Sequence, residues 1–288
     1  MKTVVLLNSR SGAALSPEEV EASVSGCGLD TRVLPIEELE PDDLVALAAD
    51  CDLLVAAGGD GTANAAAQAL YKADSKAVLG LLPLGTGNDL ARTLEVPTGL
   101  EAAARVLVHG ATQPLDVVLL DEDRIMINQA NGGFSGTLAR TMDEKTKDRW
   151  GPLAYLRASV DVFTEMPEYE VELDIDGERL STRVLNLSVA NGRYSAGGVP
   201  VAPDADPSDG LFDVVLFQAA MKRAILPLAP RILMGTHVDT EEVIFRRGKL
   251  LRLHADPTMP FSIDGELCDE HPSSFELQPD RLRVMVPA

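Results

Sequence analysis

The first 120 residues alternate short apolar runs with stretches whose apolar residues recur at helical spacing. Ser16-Pro17-Glu18-Glu19 predicts one helix start, because a capping serine precedes a proline at the first helical position and acidic residues in the first turn. Pro41-Asp42-Asp43 opens a second predicted helix, which runs to residue 49. Apolar runs separated by helices predict a parallel sheet covered on both faces. The predicted strands are residues 3–8, 31–36, 53–57 and 77–84.

Beyond about residue 121 the apolar and polar residues alternate within short runs, which is typical of antiparallel strands. A helical interval at residues 135–165 precedes these runs. Asp176-Gly177 predicts a hairpin turn between two of them. Residues 220–234 predict a helix that Pro227 and Pro230 could kink. The predicted strands are residues 169–175, 184–189, 211–217, 242–246, 250–254 and 275–277.

These patterns predict an α/β protein with two domains. Residues 1–121 would form a parallel α/β nucleotide-binding domain, and residues 122–288 a mainly antiparallel β domain whose last strand could return to the first domain. No internal repeat or low-complexity linker separates the two halves. Ligands of parallel sheets bind outside the carboxyl ends of the strands, and clefts between domains are common binding sites. We therefore expect the active site in the cleft between the two domains.

Composition and charge narrow the class of protein. The chain has 288 residues, enough for two packed domains, and its net charge of −20 disfavours binding to nucleic acid. The three cysteines match neither zinc nor disulfide spacing, so we expect a cytoplasmic location. The first apolar run is too short for a signal peptide, and no run approaches the roughly 18 apolar residues of a membrane span.

Gly58-Gly59-Asp60-Gly61-Thr62 carries the clearest chemistry in the chain. It lies between an apolar run and a helix-forming run that starts at Ala63. A turn from a buried strand into a helix leaves backbone N–H groups unpaired beside the positive end of the helix dipole, so it suits a phosphate. A carboxylate beside phosphates is repulsive unless a cation such as Mg²⁺ lies between them. The motif therefore predicts a nucleotide-phosphate site with a metal ion at Asp60.

Two further polar turns follow predicted strands. Gly85-Thr86-Gly87-Asn88-Asp89 repeats the first turn one strand–helix unit later, and Asn8-Ser9-Arg10-Ser11-Gly12 follows the first strand. Because the ends of neighbouring parallel strands can face one pocket, we expect the turns to meet. Neither Gly-x-x-x-x-Gly-Lys-Ser/Thr nor the dinucleotide fingerprint Gly-x-Gly-x-x-Gly is present, which excludes a P-loop mechanism and disfavours hydride transfer.

In this order and spacing, the three turns resemble bacterial lipid kinases with a diacylglycerol-kinase-type catalytic domain, part of the diacylglycerol and sphingosine kinase superfamily. The resemblance covers nearly the whole chain, because the second half carries further landmarks of that family. These are Asn131-Gly132-Gly133-Phe134-Ser135-Gly136, Gly151-Pro152-Leu153-Ala154-Tyr155, Asn191-Gly192-Arg193, Ala202-Pro203, Asp209-Gly210-Leu211 and Asp264-Gly265-Glu266.

The resemblance implies an ATP-dependent kinase that requires Mg²⁺ and phosphorylates a lipid hydroxyl, such as that of diacylglycerol or phosphatidylglycerol. Phosphoryl transfer needs positioning, charge stabilisation and a group that accepts the proton of the acceptor hydroxyl. The family places this acceptor in the Asp264-Gly265-Glu266 turn, where we favour Glu266 over Asp264, and Asp60 is the third candidate catalytic residue. The implied nucleotide contacts are Asn8, Ser9, Arg10, Ser11, Gly12, Gly58, Gly59, Asp60, Gly61, Thr62, Ala63, Asn64, Gly85, Thr86, Asn88 and Asp89.

The resemblance also implies two metal sites. Asp60, Asp89 and Asp116 would form one acidic network that holds the catalytic Mg²⁺. In Asp206-Pro207-Ser208-Asp209-Gly210-Leu211, two aspartates three residues apart lie among turn-forming residues, an arrangement that suits a hard cation. The family places a structural Mg²⁺ here, and its ligands in this chain would be Asp206, Asp209 and the Leu211 carbonyl.

The chain departs from the family pattern in two places. Ala196-Gly197-Gly198-Val199 has two glycines where the family often has three, which leaves the geometry of this loop on the lipid side open. Leu34-Pro35-Ile36-Glu37 lacks a threonine that the family tends to place near the adenosine. One nucleotide contact is therefore missing or replaced, and the nucleotide preference stays open.

A lipid kinase meets its substrate at a membrane, yet the chain is strongly acidic. Two basic segments are candidate contacts: Lys145-Thr146-Lys147-Asp148-Arg149-Trp150, with the only tryptophan, and Arg246-Arg247-Gly248-Lys249 with Arg252. Each exposed basic residue near anionic lipid contributes about 1 kcal/mol. We expect a membrane lipid as substrate and weak, transient docking at the inner face of the membrane. The oligomeric state stays open, a homodimer being one option.

Two other functions remain as alternatives. NAD kinases share Gly-Gly-Asp-Gly-Thr on a related fold, so the chain could phosphorylate a soluble dinucleotide, although residues 83–92 and 264–266 fit the lipid kinases better. The second alternative is a non-catalytic nucleotide or lipid sensor. Retention of the acidic positions argues against it, because a sensor needs no proton acceptor.

Overall fold

The structure is a computed structural model that describes residues 1–12, 15–121, 124–133, 166–223, 225–268 and 271–288, without the side chains of residues 223–227. Several sequence features lie outside the described residues: the predicted helical interval 135–165, Phe134-Ser135-Gly136, the landmark at residues 151–155 and the basic segment at residues 145–150.

The N-terminal part of the fold is a four-stranded parallel sheet flanked by helices. The strand order is β4-β3-β1-β2, and every neighbouring pair is parallel. β1, β3 and β4 are buried nearly throughout, which explains their continuous apolar sequence, while the edge strand β2 is only partly buried, and the predicted parallel sheet is confirmed. These strands are β1 (Thr3–Leu7), β2 (Thr31–Pro35), β3 (Leu53–Gly58) and β4 (Val78–Pro83). The helices are α1 (Pro17–Gly26), α2 (Pro41–Ala49), α3 (Asp60–Lys72), α4 (Asp89–Thr93) and α5 (Leu100–His109).

The helix start predicted at Ser16 is confirmed in atomic detail. The Ser16 side chain accepts a hydrogen bond from the Glu19 backbone N–H, and the Glu19 carboxylate accepts one from the Ser16 N–H at 2.8 Å. This reciprocal capping box satisfies two backbone donors that the first helical turn leaves free. It begins α1 at Pro17, and α2 likewise begins at the predicted Pro41.

The remainder of the described chain is mainly antiparallel β-structure, as predicted. Residues 220–234 do not form one helix: a 3₁₀ turn at Ala219–Arg223 is followed by α6 (Ile225–Leu233), with Pro230 inside it. The strands are β5 (Ala111–Leu120), β6 (Arg124–Met126), β7 (Gln129–Gly133), β8 (Tyr169–Ile175), β9 (Glu178–Ala190), β10 (Phe212–Gln218), β11 (Val243–Gly248), β12 (Leu250–Asp256), β13 (Phe261–Ile263), β14 (Glu266–Cys268) and β15 (Ser274–Val286).

The Asp176-Gly177 hairpin is confirmed. Ile175 pairs with Glu178 across the turn, and both central residues have positive φ, 51° for Asp176 and 93° for Gly177. Two consecutive positive φ values are what a tight type I′ turn requires, and Asp-Gly adopts them readily.

The last strand, β15, joins the two parts of the fold. It pairs antiparallel with β5 and β12, and Val284 pairs parallel with Leu79 of β4. In the described part of the chain, all the strands therefore belong to one continuous sheet, whose main path runs β14-β13-β7-β9-β8-β12-β15-β4-β3-β1-β2. Across the same described ranges, no helix is long and apolar enough to span a bilayer.

Candidate active site

The three glycine-containing turns meet at the carboxyl ends of β1, β3 and β4. A Cβ placed on Gly85 would lie 2.5 Å from the Cα of Gly59, so the second and first turns are in backbone contact. A Cβ on Gly12 would lie 3.4 Å from the Thr86 hydroxyl, and the Asn8 side-chain amide donates to the Thr62 hydroxyl at 3.3 Å. The expected convergence of the turns is therefore present in the fold.

The start of α3 is built to receive an anion. Its N-cap residue, Gly59, has no side chain that could cap the first turn, whose N–H groups lack partners within the helix. A Cβ on Gly58 would lie 2.3 Å from the Thr62 hydroxyl, so the backbone passes where only glycine fits. A cavity runs along this turn to Asn88 and Leu90. The turn thus presents backbone donors and the positive end of a 13-residue helix.

Asn88 closes the second turn with its own side chain. Its amide oxygen accepts from the Gly85 N–H at 3.0 Å and its amide nitrogen donates to the Gly85 carbonyl at 2.7 Å. Asn88 has φ 53° at the N-cap of α4, a left-handed conformation that asparagine tolerates. Asn88 therefore fixes the conformation of the turn that immediately precedes Asp89.

Asp60 and Asp89 form an acidic pair between the turns. Asp60 Oδ1 accepts from the Leu90 N–H at 3.2 Å, and Asp89 Oδ2 accepts from the Gly197 N–H at 3.0 Å. Burial and the neighbouring Asp60 carboxylate raise the pKa of Asp89. Asp89 Oδ1 is buried and has no hydrogen-bond partner among the described residues. A buried carboxylate oxygen without a donor is costly unless a cation or water binds it, so this pair fits Mg²⁺.

Asp116, the third aspartate of the expected acidic network, is hydrogen-bonded to the second half of the chain. Its carboxylate accepts from the Gly210 N–H at 2.8 Å and from the Asp280 N–H at 2.8 Å. Burial raises the pKa of Asp116. β5 carries Asp116 and pairs with β15, and the bond to Gly210 directs the side chain to the residue 206–211 loop.

In the residue 206–211 loop, the two aspartates expected to bind a second metal make local contacts. Asp206 Oδ1 accepts from the backbone and hydroxyl of Ser208, at 3.0 and 2.7 Å. Asp209 accepts from the Leu211 N–H at 3.0 Å with one oxygen and pairs with Arg247 through the other. Arg247 also pairs with Asp213 at 2.8 Å, and the other Asp213 oxygen is buried without a partner among the described residues.

Side chains alone do not complete a metal site at either cluster. In the described part of the chain, no group of three or more His, Cys, Asp or Glu side chains is arranged to hold a metal ion. A cation at Asp60 and Asp89 would need phosphate oxygens as further ligands, which is how Mg²⁺ is commonly bound. A cation at Asp206 and Asp209 would need a backbone carbonyl such as that of Leu211. Both donor sets consist of oxygen, as hard cations prefer.

Asp264 is the most extensively bonded carboxylate in the site. Oδ1 accepts from the N–H groups of Asn128 and Gln129, both at 2.9 Å. Oδ2 accepts from the Ile127 N–H at 2.8 Å and from the Asn64 amide at 2.6 Å. The residue is buried, and this burial outweighs the hydrogen bonds and raises the pKa of Asp264 to about 6.

The side chain of Asn64 is hydrogen-bonded within the protein. Asn64 is buried, and its amide donates to Asp264 and, at 3.4 Å, to the Ile125 carbonyl. Asn64 therefore links α3 to the β13–β14 turn.

Glu266 differs from Asp264 in being accessible. Its side chain is 63% exposed, and its Oε2 pairs with Arg124 at 2.8 Å. The two carboxylates of the Asp264-Gly265-Glu266 turn therefore lie in different environments. Asp264 is buried and fully hydrogen-bonded, whereas Glu266 lies at the surface.

The residue 196–198 loop contacts the second glycine turn. Ala196, Gly197 and Gly198 all have positive φ, 51°, 82° and 109°. Ala196 thus holds a left-handed conformation that costs a residue with a Cβ about 1 kcal/mol and costs glycine almost nothing. Gly197 donates to Asp89, and the Arg92 guanidinium lies 5.8 Å from the centre of the Tyr194 ring. The loop that differs from the family pattern is therefore bonded directly to the proposed metal ligand.

Four contacts have no signature in the sequence. Arg124 binds Glu266 from β6, and the Ser9 hydroxyl donates to Glu37 at 3.0 Å. Arg247, in one of the two basic segments considered as lipid contacts, pairs with Asp209 and with Asp213. Each contact joins residues at least 28 positions apart, which local pattern cannot reveal.

Comparison with known proteins shows the family to which the chain belongs. The sequence profile described as the diacylglycerol kinase catalytic domain matches residues 2–120, and that of the YegS C-terminal NAD kinase beta sandwich-like domain matches residues 129–286. A protein of Pseudomonas putida named "Probable lipid kinase YegS-like" is 35% identical over 283 residues, 94% of this chain and 91% of the relative. A Bacillus subtilis protein named diacylglycerol kinase is 29% identical over 237 residues, 82% of this chain and 78% of the relative.

Comparison with solved structures supports the fold. A solved structure of a diacylglycerol kinase from Bacillus anthracis matches with a TM-score of 0.78 and 21% identity, covering 99% of this chain and 96% of that one. This likeness establishes the fold, and the sequence matches define a kinase. The chain belongs to the diacylglycerol-kinase-type family of lipid kinases.

The backbone contact between the turns predicts a sharp difference between two glycines. Gly85→Ala should destabilise the fold by roughly 1–3 kcal/mol, because its Cβ would displace the Gly59 backbone. Gly61→Ala is the control: a Cβ there meets no atom within 4 Å, and alanine in a first helical turn should be neutral or stabilise by up to about 1 kcal/mol. Chemical denaturation measures both. Equal stability of Gly85→Ala and wild type would contradict the close packing of the turns.

Proposed function

We propose that the protein is an ATP-dependent, Mg²⁺-requiring kinase that transfers the γ-phosphoryl group to a lipid hydroxyl of the diacylglycerol or phosphatidylglycerol class. The observation that carries this proposal is the meeting of three phosphate-compatible turns around Asp89, whose Oδ1 is buried without a partner among the described residues. The family supports phosphoryl transfer, and the names of the relatives support a lipid acceptor.

In this proposal the nucleotide phosphates bind between the turns at Gly58–Thr62 and Gly85–Asp89, with the residue 8–12 loop at the rim. The first-turn N–H groups of α3 would donate to phosphate oxygens. Asp60 and Asp89 would hold the catalytic Mg²⁺, which neutralises charge that develops on the phosphate oxygens. Asp60 is itself held by the Leu90 N–H and Asp89 by the Gly197 N–H, so both ligands are fixed in position.

Glu266 is our candidate for the group that takes the proton of the acceptor hydroxyl. A base must be within hydrogen-bond reach of its substrate, and the Glu266 side chain is 63% exposed. Asp264 is 4% exposed, and each of its oxygens already accepts two hydrogen bonds. Asp264 therefore acts on the geometry: through Asn64 it sets the position of the Glu266 turn relative to the helix that receives the phosphates.

The test of this function is incubation with labelled ATP, Mg²⁺ and a total lipid extract, with mass spectrometry of the product. We expect label in a lipid, and a loss of roughly 10²- to 10⁴-fold in turnover for Glu266→Gln with unchanged ATP binding. Asp264→Asn is expected to lower stability as well, since its amide cannot accept from all four donors. Label in NAD instead of lipid would contradict the proposed acceptor. Full activity of Glu266→Gln beside a folded, inactive Asp264→Asn would transfer the proton role to Asp264.

We also propose a structural Mg²⁺ held by Asp206, Asp209 and the Leu211 carbonyl. Asp209 and Asp213 share the Arg247 guanidinium, and Asp213 keeps a buried oxygen without a partner among the described residues. Because a ligand of the folded state raises stability, Mg²⁺ should raise the melting temperature relative to chelator. Asp206→Asn, which can still accept from Ser208, should lose this rise, and Asp89→Asn should keep it. An unchanged rise in Asp206→Asn would contradict the site.

We propose peripheral membrane contact through exposed basic residues, of which Arg246, Lys249 and Arg252 remain free of the ion pairs that hold Arg247. Reversing their three charges should weaken binding to anionic vesicles by about 100-fold or more, because each residue loses about 1 kcal/mol of attraction and adds repulsion. The control reverses three exposed residues of the N-terminal part, Lys72, Lys76 and Arg105, and keeps the net charge equal. Equal co-sedimentation of the two triple variants would remove Arg246, Lys249 and Arg252 from the contact.

A further inference from the structure

We propose that Arg124 is a positioning residue for phosphoryl transfer, which holds the Glu266 carboxylate in one orientation toward the acceptor hydroxyl. This inference rests on the proposed function of Glu266. No motif of the sequence singles out Arg124, which lies at the start of the three-residue strand β6, 142 positions from its partner.

The Arg124 guanidinium contacts three residues of the β13–β14 hairpin. Nη2 donates to Glu266 Oε2 at 2.8 Å and to the Ile263 carbonyl at 3.4 Å, and Nη1 donates to Cys268 Sγ at 3.1 Å. The contacts fall on both sides of the Asp264-Gly265 turn. A planar guanidinium with several bonds to one hairpin is pre-organised, so its grip on a carboxylate is more directional than that of a lone ion pair.

Glu266 depends on such a partner because its own strand, β14, restricts the orientation of its side chain only weakly. β14 has three residues, pairs with β13 and lies at the end of the main path of the sheet. The Glu266 side chain is 63% exposed and Leu267 beside it is 46% exposed, so packing does little to restrict them. The Arg124 side chain is 28% exposed and therefore the more firmly seated partner. An exposed ion pair adds little stability, so the expected role is geometric.

The charges around Glu266 make Arg124 electrostatically important as well. Asp264, in the same turn, directs its carboxylate inward to the N–H groups of residues 127–129, and Cys268 shares the guanidinium from β14. Asp269 and Glu270 follow outside the described residues. Among the described residues, Arg124 is the cation paired with Glu266. Loss of Arg124 would remove this partner and leave the Glu266 carboxylate free to turn away from the acceptor hydroxyl.

The experiment compares full-length wild type with Arg124→Gln and Arg124→Lys, using ATP, Mg²⁺ and diacylglycerol in mixed micelles, and measures kcat and the KM for ATP. The matched control is Arg281→Gln, because Arg281 is 34% exposed and pairs at 2.7 Å with Asp74, which follows the end of α3, whereas Asp264 binds Asn64 near its start. We expect Arg124→Gln to lose roughly 10- to 100-fold in kcat with an unchanged KM for ATP. Arg124→Lys should recover part of the lost kcat, and Arg281→Gln should behave as wild type.

Several results would overturn the inference. One is a normal kcat in Arg124→Gln, and another is an equal loss of kcat in Arg281→Gln. If Arg124→Gln does not fold, the test depends on Arg124→Lys, which keeps the positive charge but replaces the planar guanidinium by an ammonium group. A wild-type kcat in Arg124→Lys would then contradict directional positioning. Glu266→Gln separates the two proposals: full activity there removes the proton role of Glu266, whereas an inactive Glu266→Gln beside a fully active Arg124→Gln removes only Arg124.

Discussion

The buried carboxylate of Asp264 is the constraint on which the site depends. Its four hydrogen bonds connect the Asn64 amide on α3 with the backbone of residues 127–129, and its own chain carries the β13–β14 hairpin. A buried carboxylate without partners would be very unfavourable, so these donors must be in place for the fold to close. These bonds hold α3, which would receive the phosphates, and the turn that carries Glu266 in a fixed relative position.

Asp89 makes a second connection between the halves of the chain. One of its oxygens accepts from Gly197, 108 positions away, while the other is buried without a donor among the described residues. The same residue therefore joins the loop of the second half to the glycine turns and offers a ligand position to a cation. A metal–nucleotide complex bound there would therefore contact residues that are tied to both halves of the chain. Asp60 lies in the same pocket, because its carboxylate accepts from the Leu90 N–H.

Local chemistry in the sequence predicts much of this fold, and long-range partners account for what it misses. The capping box at Ser16, the Asp176-Gly177 turn and the buried runs of β1 and β3 are each determined within a few residues, and all are present. The hydrogen-bond partners of Asp116, in contrast, are Gly210 and Asp280, which are distant in sequence and which local pattern does not reveal. Short strands such as β13 and β14 exist only because neighbouring strands and Arg124 support them. Motif order in the sequence thus predicts which turns form the site, while the fold decides which side chain each turn exposes.

The most direct test of the central claim is a crystal structure of the full chain with Mg²⁺ and a non-hydrolysable ATP analogue. The account predicts phosphate oxygens within hydrogen-bond distance of the backbone N–H groups at the start of α3, and Mg²⁺ bound to Asp89 Oδ1. It also predicts that Asp264 keeps its four hydrogen bonds, with Glu266 facing the terminal phosphate. A bound analogue whose phosphates lie away from the glycine turns, or a metal–nucleotide complex that leaves Asp89 without a ligand, would contradict it.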